Sequence, residues 1–372
     1  ADLYARTGDR RWLALAERLY HRRVLQPLAA RRDELAHLHA NTQIPKLIGL
    51  ARLHELTGRA EYATAATFFW ETVTADHTYA IGGNSDREHF QAPRSTARYV
   101  TEQTCEGCNT YNMLKLTRHV YGWRPDAAAF DYYERAHLNH VLAQQEPSTG
   151  AFTYMTPLLA GAAREHSQPF DSFWCCVGSG MESHAKHGDS AWWEGGDTLF
   201  VNLYVPSVVE WRTAGARLAL ATRYPYESAV RVEVESLPAP REFALALRVP
   251  AWCHGTSVRL NGRTVAVERE AGYAVVRRRW QAGDVVQLDL PVGPRLEAAP
   301  GDEHAVVLFH GPLVLAADLG AADAPYALPV PPALVGDDLL TRVKPVTPSR
   351  AEYRTAGIGR PGDLRLVPFH DQ

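Results

Sequence analysis

The sequence predicts a multidomain α and β chain, in which a helical barrel of the α/α type is followed by an antiparallel β-sandwich. Three stretches of the first half each combine a helix end, a glycine turn and an amphipathic helix, and those helices are Trp12–Leu25, Tyr62–Val73 and Ala127–Leu142. Long loops separate the hairpins, which favours a barrel over a bundle or a solenoid. After about residue 190, short apolar runs between turn signals replace the helical periodicity, as is typical of a sandwich.

The domain boundaries follow this change of pattern. We expect the barrel over 1–190, with a short β excursion near 148–165, a jelly-roll-like sandwich over 191–320, and a proline-rich tail over 321–372 that could return a strand to the sandwich. The strands predicted in the second half are Thr198–Val205, Arg217–Thr222, Ala229–Val234, Phe243–Val249, Ser257–Leu260, Tyr273–Arg277, Val285–Leu290 and Ala305–Phe309.

The composition excludes several classes of function. The chain has 372 residues, of which 46% are hydrophobic, and its formal net charge is −3. This balance provides no basic surface for nucleic acid, and no apolar run is long enough to cross a membrane. The first residues, Ala1–Gly8, contain no basic and apolar leader and are typical of a helix end. We therefore expect a soluble protein, cytoplasmic or periplasmic, in a chain that begins within its fold.

The cysteines indicate a metal or redox site. Four of the five form two tight groups, Cys105 with Cys108 and Cys175 with Cys176. Clustered thiols in this pattern are not a disulfide framework, and zinc takes about four N, S or O ligands. Either Cys105 or Glu106, together with Cys108, Cys175 and Cys176, would complete such a set.

The adjacent pair leaves alternatives open. Adjacent cysteines reach one centre only with an unusual backbone, which the glycines at Gly178 and Gly180 would permit, and a vicinal disulfide competes with metal binding. His184 and His187 lie three residues apart on the following predicted helix, where they either line the same site or form hydrogen bonds in the core. A cysteine protease built on Cys175 would need one of these histidines within reach.

A second group of residues could act on a substrate. The loop Gly82–Phe90 places Glu88 beside a histidine and an aromatic ring, and a carboxyl group in such surroundings can serve as a general acid. An incidental glutamate in a solvated turn explains the same loop. His39, Glu134 and Tyr154 are further candidates, and each taken alone is more typical of a structural role.

Three strings together resemble the β-L-arabinofuranosidases of glycoside hydrolase family 127 and relatives such as family 146. They are GGNSDREHF at 82–90, EGCNTYNMLKL at 106–116 and FWCCVGSGMES at 173–183, and they stand in the family's order with similar spacing. The resemblance implies an (α/α)6 catalytic barrel followed by β-sandwich domains. The chain offers about seven or eight predicted helices, fewer than such a barrel needs. We therefore expect a partial barrel without its amino-terminal part.

The resemblance also implies a chemical role for individual residues. A Zn²⁺ ion would be held by Glu106, Cys108, Cys175 and Cys176, and Cys105 would be an additional thiol. Cys175 would also be the nucleophile. The implied general acid/base is Glu88 of the first string.

The implied function is a retaining glycoside hydrolase that releases L-arabinofuranose from plant-type β-L-arabinofuranosides, as small molecules or oligosaccharides. His39, Glu134 and Tyr154 would bind sugar hydroxyls, and the enzyme could form a homodimer. An alternative of a different class is a non-catalytic carbohydrate-binding protein with a structural zinc site made of four cysteines. The residue that contacts the metal, Glu106 or Cys105, separates the two hypotheses.

Overall fold

The first half of the chain is helical. A computed structural model describes residues 1–320 and 332–372. The α-helices of these residues are α1 (Asp2–Thr7), α2 (Arg10–Arg18), α3 (Arg22–Ala29), α4 (Ala40–Thr57), α5 (Ala60–Asp76), α6 (Gly107–Trp123), α7 (Ala127–Ala136) and α8 (Cys175–His184). A π-helical segment, His137–Val141, continues α7. The predicted helical first half is confirmed, although the predicted helix Trp12–Leu25 is divided into α2 and α3.

Glycine turns end two of the helices as predicted. Gly8 and Gly58 follow α1 and α4 with a φ of 71° in both, the left-handed conformation that glycine adopts without steric penalty. The turn predicted at Gly122 is wrong, because α6 runs through this glycine and ends shortly before Pro125. A proline disfavours helical backbone in the residue that precedes it. Gly122 instead lets the ring of Trp193 approach the helix, with 3.5 Å between that ring and the place of a Cβ.

The helices pack into a barrel-like array that brings several loops together. α4 packs on α5 and α6, and α6 packs on α7 and α8. Fully buried side chains such as Ile44, Phe69, Met113 and Phe130 form their common core. The segments before α4, α6 and α8 meet above this core, and they carry most of the polar residues that the sequence singled out.

The second half consists of β-sheets. The strands of the described residues are β1 (Trp192–Gly195), β2 (Thr198–Val201), β3 (Ser207–Trp211), β4 (Ala216–Thr222), β5 (Ala229–Ser236), β6 (Arg241–Arg248), β7 (Ser257–Leu260), β8 (Arg263–Val265), β9 (Glu268–Glu270), β10 (Tyr273–Trp280), β11 (Val285–Asp289), β12 (Pro294–Ala299), β13 (Asp302–His310), β14 (Leu313–Ala317), β15 (Ala333–Leu334), β16 (Val343–Thr347), β17 (Glu352–Thr355), β18 (Gly359–Arg360) and β19 (Arg365–Pro368). All eight predicted strands overlap an observed one.

The strands up to β11 form a two-layer sandwich. One sheet has the order β1-β2-β6-β10-β9 and the other the order β3-β4-β5-β11-β7-β8. Their facing sides share one core, to which Leu245 and Trp280 contribute from the first sheet and Val232 and Leu288 from the second. The pairing is antiparallel except between β2 and β6, which run parallel. This parallel pair departs from the purely antiparallel sandwich that the sequence predicts.

The later strands form a sheet of their own. Its order is β12-β13-β14-β19-β17-β16, so β19 of the tail pairs with β14, which precedes residue 320, in a sheet separate from the two-layer sandwich. Residues 321–331 of the predicted tail lie outside the described residues. Phe309 and Val314 of this sheet pack against Tyr79 and Ile81 of the helical half. The sheet therefore packs against the loop that follows α5.

Candidate active site

The starts of two helices meet at a cluster of one carboxyl group and three thiols. Glu106 directly precedes α6 and Cys108 lies in its first turn, while Cys175 and Cys176 begin α8. One oxygen of the carboxyl group and the three sulfur atoms all lie within 4.8 Å of one another. The amino end of a helix carries partial positive charge, so both helices stabilise negative charge on these groups. The structure thus brings together four of the residues that the sequence proposed as ligands.

Ordinary helical backbone directs the adjacent cysteines to this cluster. The expected unusual backbone is wrong, because Cys175 and Cys176 form the first turn of a regular helix. Both thiols are free and their sulfur atoms lie 3.9 Å apart, which excludes a vicinal disulfide. Gly180 instead allows close packing against Phe152, because a Cβ at position 180 would lie 2.6 Å from the ring of Phe152.

The cluster crowds ionisable groups into a buried space. Burial, reinforced by the charges of Cys108 and Glu88, raises the pKa of Glu106 to about 8. The sulfur atoms of Cys176 and Cys108 share a hydrogen bond across 3.5 Å, which lowers the pKa of Cys108 to about 6 and raises the pKa of Cys176. Burial also raises the pKa of the Cys175 thiol. The four groups can therefore all be deprotonated only when a cation compensates their charge.

The donor set fits a soft divalent metal. Oε2 of Glu106 is buried and has no hydrogen-bond partner in the protein, so it is available as a ligand. Three thiolates and one carboxylate make the four ligands of a tetrahedral site, and thiolates select zinc over magnesium or calcium. This group could hold a metal ion, and within 1–320 and 332–372 no other cluster of metal-binding side chains converges in the same way.

Cys105 lies outside the cluster. Its side chain is fully buried in the apolar group that contains Tyr79, Ile81 and Phe309. Burial raises the pKa of its thiol well above the usual range. Glu106, and not Cys105, therefore faces the three thiols, and the four-cysteine arrangement of the alternative hypothesis is not the one in this structure.

Short backbone pairings hold the loop that carries Glu88. On one side the N–H of Ala40 donates to the carbonyl of Glu88 at 2.7 Å, and on the other the N–H of Cys105 donates to the carbonyl of Ser85 at 3.0 Å. Ser85 and Glu88 have φ values of 75° and 65°. Left-handed backbone at residues other than glycine costs free energy and clusters at functional sites. The strain in this loop is consistent with a requirement to position Glu88.

Two side chains contact the carboxyl group of Glu88. The hydroxyl of Tyr154 donates to Oε1 at 2.5 Å, and Nε2 of His39 lies 3.2 Å from Oε2. Nδ1 of His39 accepts the backbone N–H of Thr42 at 3.3 Å and so caps α4. Because Nδ1 is an acceptor, Nε2 carries the proton that faces Glu88. His39 and Tyr154 therefore border, together with Glu88, a partly exposed space that is termed the cleft.

Cys175 is the sulfur of the cluster that opens to this cleft. It is exposed, whereas Cys108 and Cys176 are 5% and 0% exposed. The hydroxyl of Tyr154, which bonds Glu88, also lies close enough to Cys175 to oppose the rise in its thiol pKa that burial causes. A ligand in the cleft would therefore meet both the carboxyl group of Glu88 and the sulfur of Cys175.

Glu134 does not join the cleft. It is buried and paired with the guanidinium of Arg248, which also bonds Asp131 at 2.6 Å. Burial raises the pKa of Glu134, and the charge of Arg248 opposes that rise. Glu134 lines a separate cavity of about 450 Å³ between α7, the turn at 251–254 and β12. Its position gives no support to the expected contact with a sugar hydroxyl beside Glu88.

His184 and His187 form a separate chain with His137. Nε2 of His137 lies 2.7 Å from Nδ1 of His187, and Nε2 of His187 lies 3.1 Å from Nδ1 of His184. Nε2 of His184 then donates to the carbonyl of Val141 at 3.1 Å. These histidines are bonded to one another within the core, and none of these bonds reaches Cys175. The geometry does not support a cysteine protease.

Sequence reasoning missed two side chains that contact the cluster, Asn41 and Ser179, and a third, Asn112, that contacts Asn41. Nδ2 of Asn41 donates to Oε1 of Glu106 at 3.1 Å, and Nδ2 of Asn112 donates to Oδ1 of Asn41 at 2.9 Å. Oγ of Ser179 lies 3.1 Å from the sulfur of Cys108. Asn112 and Ser179 each follow a cysteine ligand candidate by one helical turn, which was the available signal, because residues at that spacing share a helix face.

The fold, a helical barrel followed by β-sheets, is shared with glycoside hydrolases of known structure. A solved structure described as a glycoside hydrolase has this fold, with a TM-score of 0.79 and 20% identity over 99% of this chain and 71% of that chain. The chain belongs to the β-L-arabinofuranosidase family GH127. The sequence model of the GH127 catalytic domain matches residues 1–189, and that of the GH127 middle domain matches residues 198–292. The resemblance seen in the three strings is confirmed.

Two further solved structures belong to this family by their descriptions. One, a GH127 β-arabinofuranosidase, has a TM-score of 0.78 and 20% identity, over 99% of this chain and 64% of that chain. The other, a GH127 β-L-arabinofuranosidase from Geobacillus stearothermophilus T6, has a TM-score of 0.70 and 25% identity, over 92% of this chain and 59% of that chain. No curated protein matches the sequence. Within the described residues, every helix is too short or too polar to cross a membrane.

Proposed function

We propose that this chain carries the active site of a retaining glycoside hydrolase that releases L-arabinofuranose from β-L-arabinofuranosides. The observation that carries the proposal is the shared cleft of Glu88 and Cys175, the exposed thiol of a cluster whose other thiols are buried. The carbohydrate substrate follows from membership of a glycoside hydrolase family. The particular sugar rests on the activity by which that family and its solved members are described.

Zn²⁺ is the metal that we infer for Glu106, Cys108, Cys175 and Cys176. When bound, zinc would remove the thiol protons and keep the sulfur atoms as thiolates at neutral pH. Cys108 and Cys176 are buried, and the hydroxyl of Ser179 contacts Cys108 at 3.1 Å. Among the three thiolates, Cys175 alone combines negative charge with access to a sugar.

In the first step the sulfur of Cys175 donates an electron pair to the anomeric carbon. The bond from that carbon to the glycosidic oxygen breaks, its electron pair stays on the oxygen, and Glu88 supplies the proton that neutralises the leaving group. The products are the free alcohol and an arabinofuranosyl thioether on Cys175. Glu88 is then a carboxylate, which the hydroxyl of Tyr154 and the ring N–H of His39 stabilise.

In the second step Glu88 accepts a proton from a water molecule. The oxygen of that water attacks the anomeric carbon, the carbon–sulfur bond breaks, and its electron pair returns to Cys175. Each displacement inverts the anomeric carbon, so the released sugar keeps the configuration of the substrate.

Hydrolysis of p-nitrophenyl β-L-arabinofuranoside by the zinc-loaded protein tests the proposal, with p-nitrophenyl α-L-arabinofuranoside as the control. We expect p-nitrophenol from the β anomer and not from the α anomer, with L-arabinofuranose of β configuration as the first product in the NMR spectrum. Sugar binding without turnover by a folded, zinc-containing protein would contradict the proposal and favour a carbohydrate-binding protein.

A further inference from the structure

We propose that Asn41 and Asn112 are positioning residues, which together hold the carboxylate of Glu106 in place as a metal ligand. The inference rests on the metal site of the proposed function, but not on the reaction assigned to Cys175 and Glu88.

Glu106 is attached to the protein by an unusual set of contacts. It occupies the position before α6, yet its side chain makes none of the capping hydrogen bonds that acidic residues make there. Instead Oε1 accepts Nδ2 of Asn41 at 3.1 Å and lies 3.9 Å from the sulfur of Cys175, and Oε2 is buried without a hydrogen-bond partner. The carboxyl group is therefore turned away from its own helix and toward the sulfur atoms. Asn41 holds it from one side and leaves its second oxygen free for a ligand.

Asn41 can hold Glu106 only in one orientation of its amide. Its Oδ1 accepts Nδ2 of Asn112 at 2.9 Å, which leaves Nδ2 of Asn41 to face the carboxylate. In the reversed orientation the amide oxygen would face the carboxylate, and the two NH₂ groups would face each other. Asn112 thus supports the orientation of Asn41 that the carboxylate requires, although Asn112 has no contact with the cluster.

The chain of amides connects two helices that supply parts of the site. Asn41 lies in the first turn of α4, and Asn112 lies on α6 one turn after Cys108. α6 therefore provides Cys108 directly and fixes Glu106 indirectly, through an amide that belongs to another helix. Partners of this kind orient metal ligands, and their removal lowers metal affinity about 10- to 100-fold. A purely structural pair between α4 and α6 would change stability without changing metal affinity.

Asn112→Asp tests this orientation without altering a residue that contacts Glu106. An ionised aspartate at this position can only accept, so Asn41 would turn its NH₂ group toward residue 112 and its oxygen toward Glu106. We expect the dissociation constant for zinc, measured by competition with a chromophoric chelator, to rise about 10- to 100-fold. The added negative charge by itself would strengthen the binding of a cation, so it cannot account for a weaker affinity for zinc.

Two further variants complete the experiment. Asn41→Leu removes the contact itself and should weaken zinc binding by a similar factor. Asn139→Asp is the matched control, because Asn139 is a fully buried amide that donates to the carbonyls of Arg135 and Pro312. It should lower the melting temperature and leave zinc affinity unchanged.

Wild-type zinc affinity in either folded variant, Asn112→Asp or Asn41→Leu, would overturn the inference. An equal loss of affinity in Asn139→Asp would overturn it as well, since it would show a general effect of damaged packing. A wild-type protein that binds no zinc would remove its basis. Hydrolysis by the wild-type protein is measured separately, so a failure of the amide chain is distinguishable from a failure of the proposed reaction.

Discussion

The three thiols of the cluster differ in their exposure to solvent. Successive residues of an α-helix point about 100° apart, so the adjacent Cys175 and Cys176 at the start of α8 cannot share one environment. Cys176 is fully buried beside Cys108, and Cys175 is exposed in the cleft. One metal site can therefore present a single sulfur to a substrate while it protects the other two.

Glu88→Gln tests the acid/base assignment at the scale of a residue. A glutamine cannot supply the proton, so we expect kcat/KM on an alkyl arabinofuranoside to fall about 10²- to 10⁴-fold. The formation of the thioether from a p-nitrophenyl glycoside should suffer less, because p-nitrophenolate leaves without protonation. Glu102→Gln is the control, since Glu102 is an exposed carboxylate that pairs at 3.4 Å with Arg87, the residue before Glu88. Equal losses with both leaving groups would contradict the assignment.

The environment of His137 predicts how the stability of the protein depends on pH. Burial, together with the neighbouring His187 and His184, lowers its pKa to about 3 from a usual value of 6.5. Between these values the unfolded chain binds a proton that the folded protein does not bind. The neutral ring therefore contributes stability that is lost as pH falls from about 6.5 toward 3.

The pH prediction is measured by comparison with His137→Phe. The difference in free energy of unfolding between the wild-type protein and this variant should shrink as pH falls from about 6.5 to 4. The exposed His304 serves as the control, and the effect of His304→Gln should not depend on pH in this way. If the difference in free energy of unfolding between the wild-type protein and His137→Phe stays constant over this range, protonation of His137 does not destabilise the folded protein.

Three of the chemical groups of the site could be predicted from sequence because they lie in continuous strings, whereas His39 and Tyr154 lie outside these strings. Glu88, Glu106 and Cys175 each stand in one of the three strings, and the structure brings those strings together. Glu134 could not be placed in this way. It shares a face of α7 with Asp131, and that face is paired with Arg248, more than a hundred residues later in the chain. Nothing local in the sequence reveals a partner at that distance.

The elements position the site through loops that pack very closely. A Cβ on Gly83 would lie 2.7 Å from Cβ of Cys105 and 2.8 Å from Nδ1 of the buried His140. The loop of Glu88 and the segment before α6 can therefore approach each other only where residue 83 has no side chain.

Gly83→Ala is the prediction at the scale of the element. Overpacking of this kind costs about 1–3 kcal/mol, and we expect a loss of stability in that range together with reduced activity. Gly178→Ala is the matched control, because Gly178 is helical and its Cβ would meet no atom within 4 Å. It should stabilise α8 by about 0.5–1 kcal/mol. Denaturant unfolding measures both, and equal effects of the two variants would contradict the packing argument.

The kinds of elements were predictable where their periodicity is clear, but their pairing was not. β5 alternates buried and exposed residues over Ala229–Val234, which is the pattern of a half-buried strand. The parallel pairing of β2 with β6 joins strands that are about forty residues apart, and no turn signal encodes it. β1 was missed because its four residues do not alternate between buried and exposed, whereas the four residues of β2 do.

At the scale of the whole molecule, one buried arginine joins the barrel to the sandwich. Arg248 ends β6, is fully buried, and pairs with Asp131 and Glu134 of α7. Its Nε also donates to the carbonyl of Asn202 at 2.6 Å. This contact places the sandwich against the barrel, and the charges of Arg248 and Glu134 depend on each other because both side chains are buried.

Arg248→Met should destabilise the protein by about 3–5 kcal/mol, because it leaves Glu134 buried without a partner. The double variant Arg248→Met with Glu134→Gln should recover part of this loss, since it removes the uncompensated charge. Arg277→Ala, which breaks an exposed pair with Asp197, should cost less than about 1 kcal/mol. Additive effects of the two substitutions in urea unfolding would contradict the dependence of Glu134 on Arg248.

The central claim is that Cys175 forms a covalent bond to the sugar. Its most direct test is peptide mass spectrometry of the zinc-loaded protein after reaction with an epoxide that mimics β-L-arabinofuranose. We predict one adduct per chain, on Cys175, and none in a Glu88→Gln variant, which cannot protonate the epoxide oxygen. An adduct on Glu88 or on another residue, or no adduct in a protein that hydrolyses the β-glycoside, would contradict the account.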